Sequence, residues 1–285
     1  MTLTRVATPF AHWQFTAANG DQLRLVPERG GLVVGWRCAG EERLYFDAER
    51  FADPGKSVRG GIPVLFPVCG NLPGNQLLLP QGSYEMPQHG FARDLPWQLE
   101  ALDSGDGVRL SLSDSADTRA AYPFSFRLSL DYRLEASALA IRALVEHLPG
   151  SPASGAMPFA FGLHPYLPVQ QLDQARLDGL PARCFDHLSA AETATADQLS
   201  RLSQGVDLRV DLSALEPERP RLEGGSAGTV LLEMEPPFAH AVVWTDPPRP
   251  MVCLEPWSAP RGQLGLQLQP GERRELCCRY RLSPA

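Results

Sequence analysis

Lysine is all but missing from this 285-residue chain: Lys56 stands alone, and the rest of its 26 basic residues are arginine. A skew of that kind follows genome composition, so an arginine here is not by itself a phosphate ligand. Positive charge is also outweighed. With 33 acidic residues the net charge is −7 and the pI about 5.4, which argues against a general binder of nucleic acid or anionic membrane. No run of about 18 apolar residues occurs, so no membrane-spanning helix is expected. The start, Met1-Thr2-Leu3-Thr4-Arg5-Val6, lacks the apolar centre of a secretion signal, and a cytoplasmic location is the default expectation. The six cysteines (Cys38, Cys69, Cys184, Cys253, Cys277, Cys278) show neither CxxC spacing nor a zinc-ligand pattern with histidine, so buried free thiols in a reducing compartment are expected. A GxSxG elbow, a P-loop and an HExxH pair are all missing. Gly30-Gly31 lies between strand-like segments with no helix after it, so a dinucleotide fingerprint fails as well. Neither a metal nor a nucleotide cofactor is expected.

Glycine and proline, by contrast, are abundant, at 25 and 27 residues. Long helices are hard to write at that density, and short strands joined by turns are easy. Period-2 patterning recurs along the chain. In 124–134 Phe124, Phe126, Leu128, Leu130, Tyr132 and Leu134 share one face, with Ser125, Arg127, Ser129, Asp131 and Arg133 on the other, as a half-buried antiparallel strand requires. Segment 138–146 alternates likewise, and the two read as a hairpin. Leu264, Leu266 and Leu268 alternate, Pro270-Gly271-Glu272 turns the chain, and 276–282 reads as the return strand. Further strands are expected over 22–26, 31–38, 97–102, 107–113, 229–235, 240–245 and 251–255. Segment 189–200 reads as a short helix or a surface loop, and 52–90 as a long irregular stretch of the kind that is usually functional. With 44% hydrophobic and 21% charged residues and no linker or repeat, the expectation is an all-β fold. It is one large antiparallel β-sandwich domain over residues 1–285, two stacked sheets with few short helices.

Three segments embed ionisable residues among apolar neighbours: 58–67 with 88–93, 159–167, and 251–258. Glu255 follows Val252 and Leu254 and precedes Pro256 and Trp257. A carboxylate there either reaches solvent at a strand end or is partly buried, with its pKa raised toward a useful general-base value. His164 stands before Pro165, which holds the histidine's backbone extended. It is either a satisfied core residue or a proton donor and acceptor, and His89 carries the same two readings. His12, His147, His187 and His240 have little to single them out and are read as structural. Arg59 and Arg93 lie beside glycines, where backbone approaches a ligand closely and a guanidinium can grip oxygen atoms in a fork; the alternative is a pair of surface cations.

Taken together, VRGGIPVLFP at 58–67, PQHGFARDLPW at 87–97, FGLHPYL at 161–167 and CLEPW at 253–257 resemble the aldose 1-epimerase (galactose mutarotase-like) superfamily. The resemblance is closest to its hexose-6-phosphate mutarotase branch and covers about residues 20 to 282. It implies a β-supersandwich with a sugar site on one sheet face and cofactor-free interconversion of anomers. It also implies His164 as general acid, Glu255 as general base, His89 as a substrate-binding histidine, and Arg59 and Arg93 as arginines that contact substrate and any phosphate. Where the sugar-phosphate enzymes carry Asn-Pro after a tryptophan, this chain has Trp244-Thr245-Asp246-Pro247-Pro248-Arg249. Asp246 either bonds sugar hydroxyls or pairs with Arg249.

The expected partner is therefore a small sugar or sugar phosphate, with no nucleic acid and no membrane; nothing in the sequence speaks to oligomeric state. Two rivals stand beside this reading. A carbohydrate-binding module would use an aromatic cleft (Phe66, Tyr166, Trp257) without an acid–base pair. A glycoside hydrolase or lyase would want two carboxylates across the scissile bond, and Asp246 and Asp94 are the candidates near the motif segments.

Overall fold

The strong alternation of 126–147 produces two long strands, Phe126–Glu135 and Ala138–His147, paired antiparallel with Leu130 opposite Ala143 and Tyr132 opposite Ile141. They lie inside an eight-stranded sheet. On one side follow Gly107–Ser113 and Gln98–Ala101; on the other, Arg273–Ser283, Thr229–Met234, Arg221–Glu223 and Arg176–Asp178. The computed structural model describes residues 1–213, 220–223 and 228–283.

A second eight-stranded sheet carries, in order, Ala191–Ala194, Arg183–Asp186, Asp207–Asp211, His240–Trp244, Met251–Trp257, Gly162–Leu163 and Val64–Leu65, with Tyr166–Pro168 also pairing with Met251–Trp257. A five-stranded sheet is built from the first 42 residues, from Thr2–Val6 to Glu41–Glu42. Among the described residues the α-helices are short: Ala48–Phe51, Ala116–Ala121 and Thr195–Leu199. None is long and apolar enough to cross a membrane.

One hydrophobic cluster joins the two large sheets. Leu128, Leu130, Leu139, Ile141, Val145, Leu276 and Tyr280 come from the first; Leu208, Val210, Ala241, Val243, Val252 and Leu254 come from the second. The antiparallel sandwich with few helices is thus the observed architecture. Because side chains alternate along a strand, burying Val252 and Leu254 in this core turns Met251, Cys253, Glu255 and Trp257 to the opposite face. There they join separate, smaller clusters with Val242, Trp244 and Tyr166. That outer face carries the site.

Three expectations need correction. Leu266–Leu268 and Arg273–Ser283 do not pair with each other across the Pro270-Gly271 turn. The first pairs with Met157–Phe159, and the second fits between Ala138–His147 and Thr229–Met234. Central strand positions bury more apolar surface than a local hairpin could. The irregular stretch 52–90 holds Val64–Leu65 and a small hairpin, Gln76–Leu79 with Gly82–Glu85. Segment 189–200 divides into strand Ala191–Ala194 and helix Thr195–Leu199. All six cysteines are free, and of the adjacent pair Cys278 is buried while Cys277 is partly exposed.

A polar tie crosses the core where Tyr280 Oη donates to the Leu254 carbonyl at 2.8 Å. Tyr280→Phe leaves that acceptor with one partner fewer and should lower the unfolding free energy by about 1 kcal/mol in a urea titration. An unchanged midpoint would show that the bond contributes nothing to holding the sheets together.

Candidate active site

Strand register assembles the floor of a cleft of about 260 Å³ on the outer face of the second sheet. Val242 lies opposite Glu255 and Trp244 opposite Cys253; Asp207 lies opposite Trp244, and Tyr166 opposite Cys253. Above this floor, loops from the 58–67, 88–93 and 159–167 segments close the walls. The lining includes Arg59, His89, Arg93, His164, Tyr166, Asp207, Trp244, Glu255, Trp257 and Arg261. Five of the six residues singled out as catalytic or substrate-binding (Arg59, His89, Arg93, His164 and Glu255) therefore meet in one place.

Glu255 is 1% exposed. Its Oε2 accepts a hydrogen bond from Trp257 Nε1 at 3.0 Å, and its Oε1 lies 3.3 Å from His164 Nε2. The strand-end reading with a solvated carboxylate is thus wrong: Cys253 and Trp257, its neighbours on the same face, enclose it. His164 is held by its backbone N–H donating to the Pro63 carbonyl at 3.0 Å and by stacking on Tyr166, ring centroids 4.9 Å apart. Burial drives the two pKa values in opposite directions. It pushes Glu255 well above the ordinary carboxyl value, with the Trp257 bond acting the other way. It pushes His164 down, aided by the charges of Arg93 and Arg59. The Glu255 carboxyl therefore keeps its proton to a higher pH than an ordinary carboxyl, and His164 stays neutral where an ordinary imidazole is charged; opposite shifts of this kind are how neighbouring groups divide acid and base roles.

His89 occupies a left-handed backbone conformation, φ 66°. Its backbone N–H donates to the Gly70 carbonyl at 2.8 Å, and the Gly70 N–H donates to its Nδ1 at 3.0 Å. Accepting at Nδ1 leaves the ring proton of the neutral imidazole on Nε2. The neutral form is favoured by burial, then by the nearby charges of His164, Arg93 and Arg261. Next to it Gly90, φ 71°, passes so close to the Phe66 carbonyl that a Cβ would sit 2.1 Å from the oxygen; the loop can take this course only with glycine there.

Arg59 Nε donates to Asp246 Oδ2 at 2.8 Å, its Nη1 to Ser57 Oγ and the Val58 carbonyl, and its guanidinium lies 5.3 Å from the Trp244 ring centroid. Asp246 does not line the cleft. It pairs with both Arg59 and Arg249 through Oδ2, the second of the two roles that the sequence left open. Phe66, expected among the cleft aromatics, lies in the main core; Tyr166 and Trp257 do line the cleft, joined by Trp244.

The sequence reading missed Asp207 and Arg261 and counted His187 as structural. Asp207 Oδ1 accepts from His187 Nδ1 at 2.7 Å, and its Oδ2 from Arg261 Nη2 at 2.9 Å. Burial opposes the charge on Asp207, but His187 and Arg261 outweigh it and hold the carboxyl below its ordinary value. The His187 ring also stacks along Trp257, centroids 6.3 Å apart. No local pattern marks these three residues. They stand on separate segments that only the sheet register brings together. Among the described residues, the group whose ligand atoms could converge on a metal is His164, Cys253 and Glu255, within 4.8 Å of one another; Cys253 is fully buried beneath the cleft floor.

The family model for aldose 1-epimerase matches residues 14–281. A relative from Escherichia coli (strain K12) named "Putative glucose-6-phosphate 1-epimerase" is 29% identical over 184 residues, 63% of this chain and 56% of the relative. The chain thus spans little more than half the length of that curated relative. The crystal structure of the Slr1438 protein from Synechocystis sp. PCC 6803 superposes with a TM-score of 0.83 at 34% identity, covering 92% of this chain and 91% of the other. A galactose mutarotase-like protein from Clostridium acetobutylicum, 17% identical, shares the fold with a TM-score of 0.77 over 98% of each chain.

The burial of Glu255 has a measurable consequence for stability. Its folded pKa lies above the unfolded one, so the unfolded chain gives up this proton first and stability falls as pH rises past the ordinary value of 4.5. Glu255→Gln removes that penalty. The variant should be more stable than the parent at pH 8, with the gap closing toward pH 4 in thermal melts. A variant that melts lower than the parent at pH 8 would contradict the assignment of a desolvated carboxyl.

Proposed function

The chain belongs to the aldose 1-epimerase family, and we propose that it interconverts the α and β anomers of a hexose or hexose 6-phosphate, with Glu255 as base and His164 as acid. The observation that carries this reading is the contact between His164 Nε2 and Glu255 Oε1, 3.3 Å apart at the floor of a cleft. Opening a cyclic aldose needs a proton removed from the O1 hydroxyl and one delivered to ring O5. A pair that keeps one proton between its members supplies both halves.

The working ionisation is the charge-separated form of the pair, Glu255 as carboxylate and His164 as imidazolium, reached from the neutral pair when the proton passes from the Glu255 carboxyl to His164 Nε2 across their 3.3 Å contact. Glu255 takes the O1 proton as the C1–O5 bond breaks, and His164 protonates O5, leaving the open-chain aldehyde. Rotation about C1–C2 presents the other carbonyl face. Reclosure returns the proton from Glu255 to O1 and the O5 proton to His164, so the site ends as it began. His89, with its proton on Nε2, donates to a sugar oxygen, and Asp207, held from both sides by His187 and Arg261, accepts from sugar hydroxyls. Tyr166, Trp244 and Trp257 supply apolar faces to the ring. Arg59 and Arg93 share one wall and supply the cationic side that a 6-phosphate group requires, in keeping with the name of the Escherichia coli relative.

His164→Ala and Glu255→Gln should each slow anomer exchange by about 10²–10⁴-fold, measured by polarimetry or exchange NMR on glucose and glucose 6-phosphate. Full activity in His164→Ala would remove the acid from the scheme; sugar binding with no accelerated exchange in the parent chain would make it a binding protein. The pH dependence has a defined sign too. With His164 pushed down and Glu255 pushed up, the pair gains a second proton only well below the ordinary imidazole value and loses its one proton only well above the ordinary carboxyl value. The rate constant should therefore hold as pH falls below 6.5, where an ordinary imidazole would gain its proton. A rate that follows a single titration near 6.5, the ordinary imidazole value, would contradict a shared proton.

A further inference from the structure

We propose that Asp246 sets the charge preference of the cleft: it ties Arg59 into a charge-balanced cluster, so that Arg93 is the cation left to meet an anionic group on the substrate. This rests on the reading of the cleft as a sugar site and goes beyond it by separating the work of two arginines that the sequence treats alike.

The two guanidinium groups differ in what already holds them. One oxygen of Asp246, Oδ2, accepts both from Arg59 Nε at 2.8 Å and from Arg249 Nη1 at 2.9 Å. Arg249 Nε lies 3.5 Å from Asp47 Oδ2. Two arginines and two aspartates thus balance, and of the four Arg59 lines the cleft. Arg59 spends its Nη1 on Ser57 Oγ and the Val58 carbonyl and lies against Trp244. Its Nη2 is the nitrogen left for a ligand.

Arg93 has no comparable anchor. Its Nη2 donates to the Gln88 carbonyl at 2.9 Å. Its nearest carboxylate, Asp94 Oδ2, is 3.7 Å from Nε and belongs to a side chain that is 70% exposed. An ion pair of that kind contributes little. Arg93 therefore brings a charge that solvent and Asp94 balance poorly, with Nε and Nη1 still able to donate. The pKa directions agree. For Arg59 burial works against the charge, but Asp246 outweighs it and the value is raised. For Arg93 burial dominates and the value is lowered, the condition that an incoming anion relieves.

Three outcomes follow for the ratio of kcat/KM on glucose 6-phosphate to kcat/KM on glucose, read by exchange NMR. Arg93→Gln should lower the ratio by about tenfold or more, as expected for losing a charge-assisted contact to phosphate. Asp246→Asn should raise it, by about three- to tenfold at low salt, as one charge acts on another across partly exposed space. The gain should enter through KM and shrink as salt is added. Arg249→Gln, which leaves Asp246 less balanced, should move the ratio down, and its opposite sign keeps the test decisive if Asp246→Asn fails to fold. A ratio that is unchanged or lowered in Asp246→Asn, or a kcat/KM that falls equally for both sugars in Arg93→Gln and so leaves the ratio unchanged, overturns the proposal. If the parent accelerates exchange of neither sugar, the epimerase reading fails by itself. Calorimetric binding of glucose 6-phosphate and glucose to the same variants then decides the division between the arginines.

Discussion

A carboxyl group sealed from water beside an imidazole is the constraint around which this molecule is arranged. Ionising Glu255 without compensation would be costly in such surroundings, so the chain must either keep it protonated or offer a cation at contact distance, and His164 makes both states available. Sealing it takes a strand whose alternate residues belong to two environments. Val252 and Leu254 are gripped by the main core, and Cys253, Glu255 and Trp257 are turned outward beneath loops that cover them. The core thus fixes the position of the pair on which the proposed chemistry depends.

The cleft walls extend the same logic outward. Asp207 is held toward its ionised form because His187 and Arg261 each take one of its oxygens; burial favours neutral His89, and one backbone N–H sets its tautomer. Charged groups in the site are thus each assigned a state by a neighbour, which is what preorganisation means in a small polar cleft. Arg93 is the exception, and an under-compensated cation beside a sugar-sized space is where discrimination between substrates can arise.

Much of the fold was legible because period-2 alternation is a local signal. The strands at 22–26, 107–113, 124–134 and 138–146 could be read without knowing their neighbours. Pairing was less legible: Leu266–Leu268 finds Met157–Phe159 more than a hundred residues away, a choice made by burial and not by the turn beside it. The site divides along the same line. His164, Glu255, His89, Arg59 and Arg93 stand in segments where an ionisable residue interrupts apolar sequence, and such interruptions can be seen. Asp207, His187 and Arg261 sit in unremarked polar surroundings and become part of the site only through register. For Asp246 the sequence left two roles open, and only register and loop placement bring Arg59 and Arg249 to a single oxygen of it.

The claim most open to direct test is that Glu255 and His164 hold one proton between them at neutral pH. Selective labelling, with ¹³C at the Glu255 carboxyl and ¹⁵N in the His164 ring, would follow both groups by NMR from pH 4 to pH 9 in the same sample. A shared, buried proton predicts that neither group titrates at its ordinary value. A carboxyl titration of Glu255 near 4.5, or an imidazole titration of His164 near 6.5, would contradict it.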